Sequence, residues 1–404
     1  MCMKNRTEII KYGILNGITF LFSSFGILLF IAIFCFTFTK GWKNLSFEMI
    51  VNDYYEKPYF LCSKIKEDSY FTLENENDIY YSKHFGIGLK DAQDLEGNPI
   101  VKIVFIHNLS PIKNATNLEG NKINIKEGVI IKRLQIIDTE GKMNVQTASI
   151  GAKKMCEVLD TSYEIKELYY CIAGGGIRGS LITTFYLILL TIVIVAPIGI
   201  LSATYLAIYA KKNRVTNLLR ILIDMISGIP SIIFGLVAVV VFIPFVNGIT
   251  KNTGGSIVSG AITLAIMLLP TVIKTTEEAI YAIPKSYWSA SLALGASETQ
   301  TTFKIMIPNA ISGILTSVIL SIGRIIGESA ALIFAIGTVI QDEISIFSAS
   351  ATLAVHIWSV LSQDSPNYGQ ACAISIIILL IILVINLLVK LLGKRLNKYA
   401  RSSI

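Results

Sequence analysis

Six stretches of this sequence are apolar for long enough to cross a lipid bilayer, and that limits the fold more than anything else in the chain. They run over about 12–38, 181–209, 222–246, 256–273, 310–340 and 371–392. A hydrocarbon layer of ~30 Å takes about 20 residues of helix. Lipid offers no partner to an unpaired backbone amide, so each run is expected to be helical. Charged residues make up 16% of the chain, against about 25% in soluble domains, which excludes folding around one water-facing surface. The first run, preceded by Lys4, Arg6 and Lys11, exceeds the roughly 7–15-residue core of a signal peptide and lacks a small-x-small cleavage site. It reads as a retained anchor over 1–39.

The basic residues sort to one side. Lys211, Lys212, Arg214 and Arg220 lie between runs two and three, Lys274, Lys285 and Lys304 between four and five, and Lys390, Lys394, Arg395, Lys398 and Arg401 after run six. The opposite side has Lys251 in one loop, and Asp342, Glu343 and Asp364 in the next. With six spans, the positive-inside rule places both termini, including a basic tail at 394–404, in the cytoplasm of a prokaryotic cell membrane. The net charge of +7 is therefore expected from membrane flanks and lipid contact, with no nucleic acid implied.

The polar segment 40–177 then lies outside the membrane. Glu-Gly pairs recur at Glu96-Gly97, Glu119-Gly120, Glu127-Gly128 and Glu140-Gly141, between partly alternating stretches at 101–107, 122–125, 129–137 and 143–150. Glycine in short polar loops between such runs signals hairpins, so a β-rich insert is expected. It holds Cys62, Cys156 and Cys171, of which Cys62–Cys156 is one pairing open to it; Cys35 and Cys372, in apolar runs, read as packing residues. The histidines His84, His107 and His356 are scattered and form no metal constellation. The run Gly174–Ser180 has two glycines at phosphate-loop spacing but Ser180 where lysine is required, and reads as a flexible lead into the next helix. Without a nucleotide-binding motif the chain is not expected to hydrolyse ATP.

The most informative segment is the loop 275–308, far longer than the roughly 2–8 residues a helix connection needs. Pro284 precedes a helical stretch that is expected to set Tyr287, Ser291 and Leu294 on one face. Gly295 follows at a left-handed stop, and Ser297 with Gln300 forms a capping-box pattern that opens a second helix before Pro308. This describes a short helix across the cytoplasmic surface, either merely interfacial or built to be gripped. Ser289-Ala290-Ser291, then Gly295, then Ile305-Met306-Ile307-Pro308 resembles the EAA loop of ABC importer permeases. Gly295, Ile305 and Pro308 fall in register, while Ser289 stands for the usual Glu, Ser291 for Ala and Ile307 for Leu.

Thr276-Glu277-Glu278-Ala279, Ile283-Pro284-Lys285-Ser286, Ala293-Leu294-Gly295-Ala296, Gly323-Arg324, Gly327-Glu328, Pro197-Ile198-Gly199 and Gly228-Ile229-Pro230-Ser231 look closer still to phosphate-specific permeases. The Thr-Glu-Glu-Ala stretch favours the PstA type. The resemblance covers about 175–390 and leaves out the insert. It implies an all-α membrane protein of the type I ABC importer permease fold, with six transmembrane helices, a core at 178–393 and the extra β-rich insert. It further implies import of inorganic phosphate by alternating access, alongside a PstC-type permease, a dimer of ATP-binding subunits that carries the ATP and magnesium, and an external phosphate-binding protein. Ser289, Ala290, Ser291, Leu294, Gly295, Ile305 and Pro308 would couple to the ATPase.

Arg324 and Glu328 fall within the fifth apolar run, where each costs about 2.5–3.5 kcal/mol at a helix centre. An i,i+4 spacing predicts that they share a face and can pair. Either the pair fixes helix packing, or Arg324 offers its forked donors to an anion while Glu328 moderates the grip; the resemblance supports the second. Glu277 and Glu278 are solvated helix-end charges or gating residues. Pro197, Pro230, Pro244 and Pro270 are expected to kink their helices. Two other functions fit parts of the pattern. A permease for molybdate, tungstate or sulfate would keep the loop, and a membrane sensor shares the anchor and external domain but not four further spans.

Overall fold

The computed structural model describes residues 6–64, 70–72, 78–93, 99–117, 121–123, 125–138, 141–172, 174–211, 213–363 and 366–402. Cys2, Lys4, Lys212, Asp364, Glu96-Gly97, Glu119-Gly120 and Glu140 lie outside these residues. The chain divides into two compact units, one of 1–46 with 180–404 and one of 47–179.

The first unit opens on helix α1, Arg6–Gly41. The second unit is the insert. After a short helix α2, Phe47–Val51, it contains strands β1 (Lys57–Lys64), β2 (Ile79–Ser82), β3 (Ile87–Gln93), β4 (Pro99–Ile106), β5 (Ile130–Asp138), β6 (Met143–Thr147) and β7 (Ser162–Ile172), with helix α3 (Ala152–Asp160) before the last. The sheet runs β1-β7-β5-β4-β3-β2, antiparallel throughout, with β6 also paired to β5. Alternation places Leu61, Ile87, Leu89, Val101, Ile103, Leu134, Ile136, Ile165 and Leu168 in one core. Helix α3 closes it with Ala152, Met155, Cys156 and Leu159, a one-face helical spacing. Asp91 accepts from the Ala152 amide at 2.7 Å and Asp160 from the Ser82 hydroxyl at 2.7 Å, so both ends of α3 are tied to the sheet.

The β-rich expectation holds, with differences in detail. Gly141 does turn β5 into β6, donating to the Asp138 carbonyl. Gly128 makes no hairpin: it donates to Ile103 in β4 at the end of a long connection. The described cysteines are all free. Cys62 donates to the Lys166 carbonyl and Cys156 to the Tyr80 carbonyl, so the Cys62–Cys156 disulfide is not formed. The glycine run before the second span is pinned rather than flexible. Gly175, Gly176 and Ile177 donate to the carbonyls of Tyr54, Asp53 and Met49. A Cβ on Gly176 would lie 1.9 Å from the Asn52 oxygen, so glycine here serves close backbone approach.

The first unit resumes with α4 (Arg178–Thr204), α5 (Arg214–Ser227), α6 (Ser231–Val237), α7 (Ile243–Thr250), α8 (Ile257–Tyr281), α9 (Lys285–Ala293), α10 (Glu298–Thr301), α11 (Ile307–Gly327), α12 (Ala330–Ala335), α13 (Leu353–Leu361) and α14 (Tyr368–Ser402). Single π turns close α4 at Tyr205–Tyr209, join α6 to α7 at Ala238–Phe242, and join α10 to α11 at Thr302–Met306. By length and composition, six spans among the described residues can cross a membrane: Ile14–Asn44, Arg178–Tyr209, Ser231–Thr250, Ile257–Tyr281, Glu298–Gly327 and Tyr368–Leu391. The fold class is thus the expected one. The fourth span is the most enclosed, with 67% of its apolar window buried, which makes α8 the axis of the unit.

Two spans differ from the hydropathy reading. The third apolar run is cut at Gly228–Pro230, because Pro230 has no amide to continue the ladder and restricts Ile229 before it. Its first part, α5, is amphipathic, with Val215, Leu218, Leu222 and Met225 exposed and Thr216 buried. The fifth run is cut after Gly327, where Glu328 takes an extended conformation. Pro197 and Pro270 sit inside α4 and α8, whereas Pro244 opens α7.

Candidate functional site

Two regions of the membrane unit hold the residues singled out from sequence. The first is the loop after α8. Pro284 sets the N-terminus of α9, and Gly295 ends it at φ +86°. The Ala296 amide returns to the Ser291 carbonyl, satisfying an orphan acceptor of the last turn. Ser297 and Gln300 then complete a reciprocal capping box: Gln300 N donates to Ser297 Oγ at 3.2 Å and Ser297 N to Gln300 Oε1 at 3.1 Å. The Ser291 and Thr301 hydroxyls, 2.8 Å apart, clasp the two arms, and Trp288 packs on Ile280, Ile283, Met306 and Ala310.

Lys285, Ser286, Tyr287, Ser289, Ala290 and Ala293 of α9 are exposed, continued by Leu294, which is 89% exposed. Ser291 does not share the exposed face with Tyr287 and Leu294. It turns inward to Thr301, since a hydroxyl near buried backbone is better placed against another hydroxyl. Ser289 folds back on its own helix, donating to the carbonyls of Lys285 and Ser286. Ile305 is half-buried in the π turn, and exposed Pro308 lies in the first turn of α11, where its missing amide costs nothing.

The second region is the far end of α11. Arg324 lies in the last turn of the helix, not at its centre, and is exposed on a stripe with Thr316, Leu320 and Gly327. The opposite face, with Ile314, Ser317, Ser321 and Ile325, is buried. Glu328 is already outside the helix. Its Oε1 accepts from the Ala331 amide at 3.2 Å and so opens α12. The expected one-face ion pair between Arg324 and Glu328 is therefore absent, because the break redirects the backbone between them. A cation in the last turn suits the helix dipole, which lowers the cost of placing it there.

Glu277 and Glu278 part company. Glu278 is exposed, whereas Glu277 is 8% exposed and lies 2.5 Å from the Arg220 guanidinium. In the sequence Arg220 reads only as a flanking charge. Its partner is far along the chain, and no local signal marks the contact. A buried polar set also joins α4 to the segment before α14. Ser180 Oγ lies 2.8 Å from His356 Nδ1, Thr183 Oγ1 lies 2.7 Å from Ser350 Oγ, and Thr184 Oγ1 accepts from Leu353 N at 2.9 Å. Among the described residues no group of three His, Cys, Asp or Glu side chains could hold a metal ion.

The sequence profile described as binding-protein-dependent transport system inner membrane component matches residues 195–398, just over half the chain. The chain belongs to that family. This permease is 37% identical over 204 residues to the probable ABC transporter permease protein YqgI of Bacillus subtilis (strain 168), covering 47% of this chain and 68% of that protein. It is 32% identical over 195 residues to YqgH of the same organism, another probable ABC transporter permease, covering 48% and 62%. It is 38% identical over 160 residues to the phosphate transport system permease protein PstA of Haemophilus influenzae, covering 40% and 55%. The chain thus spans less than two thirds of the latter two. The similarity is to transporter permease subunits, not enzymes, and with six apolar spans it makes this a multi-pass membrane protein.

Proposed function

We propose that this permease is the PstA-type membrane subunit of an ATP-driven, binding-protein-dependent importer of inorganic phosphate. The observation that carries the reading is Arg324. A guanidinium exposed on an otherwise uncharged helix is costly against lipid. It therefore faces an aqueous path or a partner permease, and its fork suits phosphate oxygens. Glu328, free of Arg324 and half-buried, is available to accept from a protonated phosphate. The resemblance to PstA proteins supports phosphate over other oxyanions.

The complex would pair this chain with a PstC-type permease, two ATP-binding subunits and an extracytoplasmic phosphate-binding protein. Both termini would be cytoplasmic, so that the Ser289–Gly295 helix meets the ATPases and the insert meets the binding protein. This chain would bind no cofactor itself. ATP binding would close the ATPases, draw α9 with them and open the outward cavity by alternating access.

Uptake by Arg324→Ala and Glu328→Ala variants, in reconstituted complexes shown to assemble, tests the path. Loss of charge-assisted hydrogen bonds worth about 1.5–3 kcal/mol predicts a roughly ten- to hundredfold fall in phosphate uptake. Normal uptake by both would remove the assignment. Stimulation of the wild-type ATPase by molybdate, tungstate or sulfate in place of phosphate would reassign the substrate.

A further inference from the structure

Arg220 has no part in that substrate path, yet its guanidinium joins three elements of the membrane unit. It lies mid-way along α5. Nη1 is 2.5 Å from Glu277 Oε1 in α8, and Nη2 donates to the Leu206 carbonyl at 3.0 Å and the Tyr281 hydroxyl at 3.4 Å. One turn further on, Asp224 lies 2.6 Å from Lys274 Nζ, which also donates to Ser227 Oγ at 3.2 Å. Residues 220 and 224 share a face of α5, and 274 and 277 share a face of α8. Between the two pairs Ile223 packs on Ala203, Leu206 and Ile273.

The placement matters as much as the contacts. Glu277 and Tyr281 belong to the last turns of α8, and Pro284 then leads into α9. Leu206 lies in the π turn that ends the second span, and Tyr209 of that turn donates to Thr302 in the second arm of the loop at 2.9 Å. At its other end α5 passes through Gly228–Pro230 into α6 and the third span. Helix α5 is thus fastened to the root of α9 and continues into a membrane span.

We propose that the Arg220–Glu277 and Asp224–Lys274 pairs form a strut that carries displacement of α9 to the third span, with Arg220 the positioning residue. This rests on the reading that α9 is gripped by an ATPase. Small apolar contacts such as those of Ile223 can slide, whereas a planar guanidinium hydrogen-bonded to the Leu206 carbonyl and the Tyr281 hydroxyl and ion-paired with Glu277 fixes the spacing of the elements. Glu277 is almost without water, so opening the pair would strand a buried carboxylate, and the contact stays closed as α8 moves. Lys274 and Asp224 are 41% and 62% exposed, so solvent screens them and Arg220 dominates.

The test reconstitutes the full complex with binding protein in vesicles, and measures stimulated ATP hydrolysis and phosphate uptake together. Arg220→Gln and Glu277→Gln should keep most of the hydrolysis while uptake per ATP falls about tenfold, a size typical of coupling between sites. Arg220→Lys should fall between them and wild type, and the exchanged pair R220E/E277R should recover part of the ratio. Asp224→Asn should shift it less than about twofold. An unchanged ratio in assembled Arg220→Gln and Glu277→Gln complexes would overturn the strut. If Arg220→Gln fails to assemble, Arg220→Lys and Glu277→Gln are judged on the same ratio. Failure of the underlying readings looks different. No phosphate uptake by wild type would sink the permease assignment, and Gly295→Val with normal uptake would sink the grip on α9.

Discussion

Gly176 and Gly295 are both glycine for backbone reasons, of opposite kinds. At Gly176 the obstacle is contact, with the Asn52 oxygen 1.9 Å from a would-be Cβ; at Gly295 nothing lies within 4 Å and the demand is φ +86° alone. Gly176→Ala should cost the insert about 1–3 kcal/mol through forced displacement, seen as faster hydrogen exchange in β1 and β7. Gly295→Ala should cost about 1–2 kcal/mol of local strain, with exchange rising in α9 and the insert unchanged. Cys156 lies on the buried face of α3. Burial first, then the charge of Asp160, pushes its thiol up to about 12 from the usual 9.0. At pH 8 its thiolate fraction is lowered about a thousandfold. Maleimide labelling should therefore bypass Cys156 in the folded protein, rising about tenfold per pH unit as the thiol approaches its pKa. Rapid labelling at pH 8 would contradict its place on the buried face of α3.

At the scale of elements, the end of α11 shows how one side chain can belong to both structure and transport. Glu328 caps α12 through an acceptor oxygen, a role glutamine can fill. Glu328→Gln should therefore leave assembly intact while lowering uptake about tenfold or more if the charge serves the anion. Glu328→Ala should also loosen α12, by the ~1 kcal/mol typical of a lost cap. Equal uptake by Glu328→Gln and wild type would confine the residue to capping. Ser297→Ala removes one half of the capping box and should destabilise the second arm by ~1 kcal/mol, measured as increased exchange over 297–306.

For the whole molecule, the division into a membrane unit and an insert, each with its own contacts, predicts that they are separable. Replacing 47–179 by a flexible linker should leave a six-span subunit that assembles with its partners. If the insert meets the binding protein, that variant should lose affinity for it and take up phosphate more slowly at low binding-protein concentration. Unchanged affinity and uptake would assign the insert another role.

The six apolar runs, the β-rich insert and the helix–glycine–helix loop are legible in residue order alone. Each is written in short-range chemistry: apolar run length, alternation, and the residues that start and stop a helix. Part of the insert escaped such reading. Strands β1, β2, β3 and β7 lie outside the alternating stretches because aromatic, polar and charged residues break up their apolar pattern, and α3 is too short to stand out from polar chain. Tertiary structure alone decided which charges meet. Arg220 and Glu277 are far apart in sequence and joined in space, whereas Arg324 and Glu328, one helical turn apart in sequence, are separated by a break. Hydropathy averages over a window and cannot register such a break. A single residue leaving the helical region turns everything beyond it, so side-chain partners follow the path of the backbone and not their spacing along it.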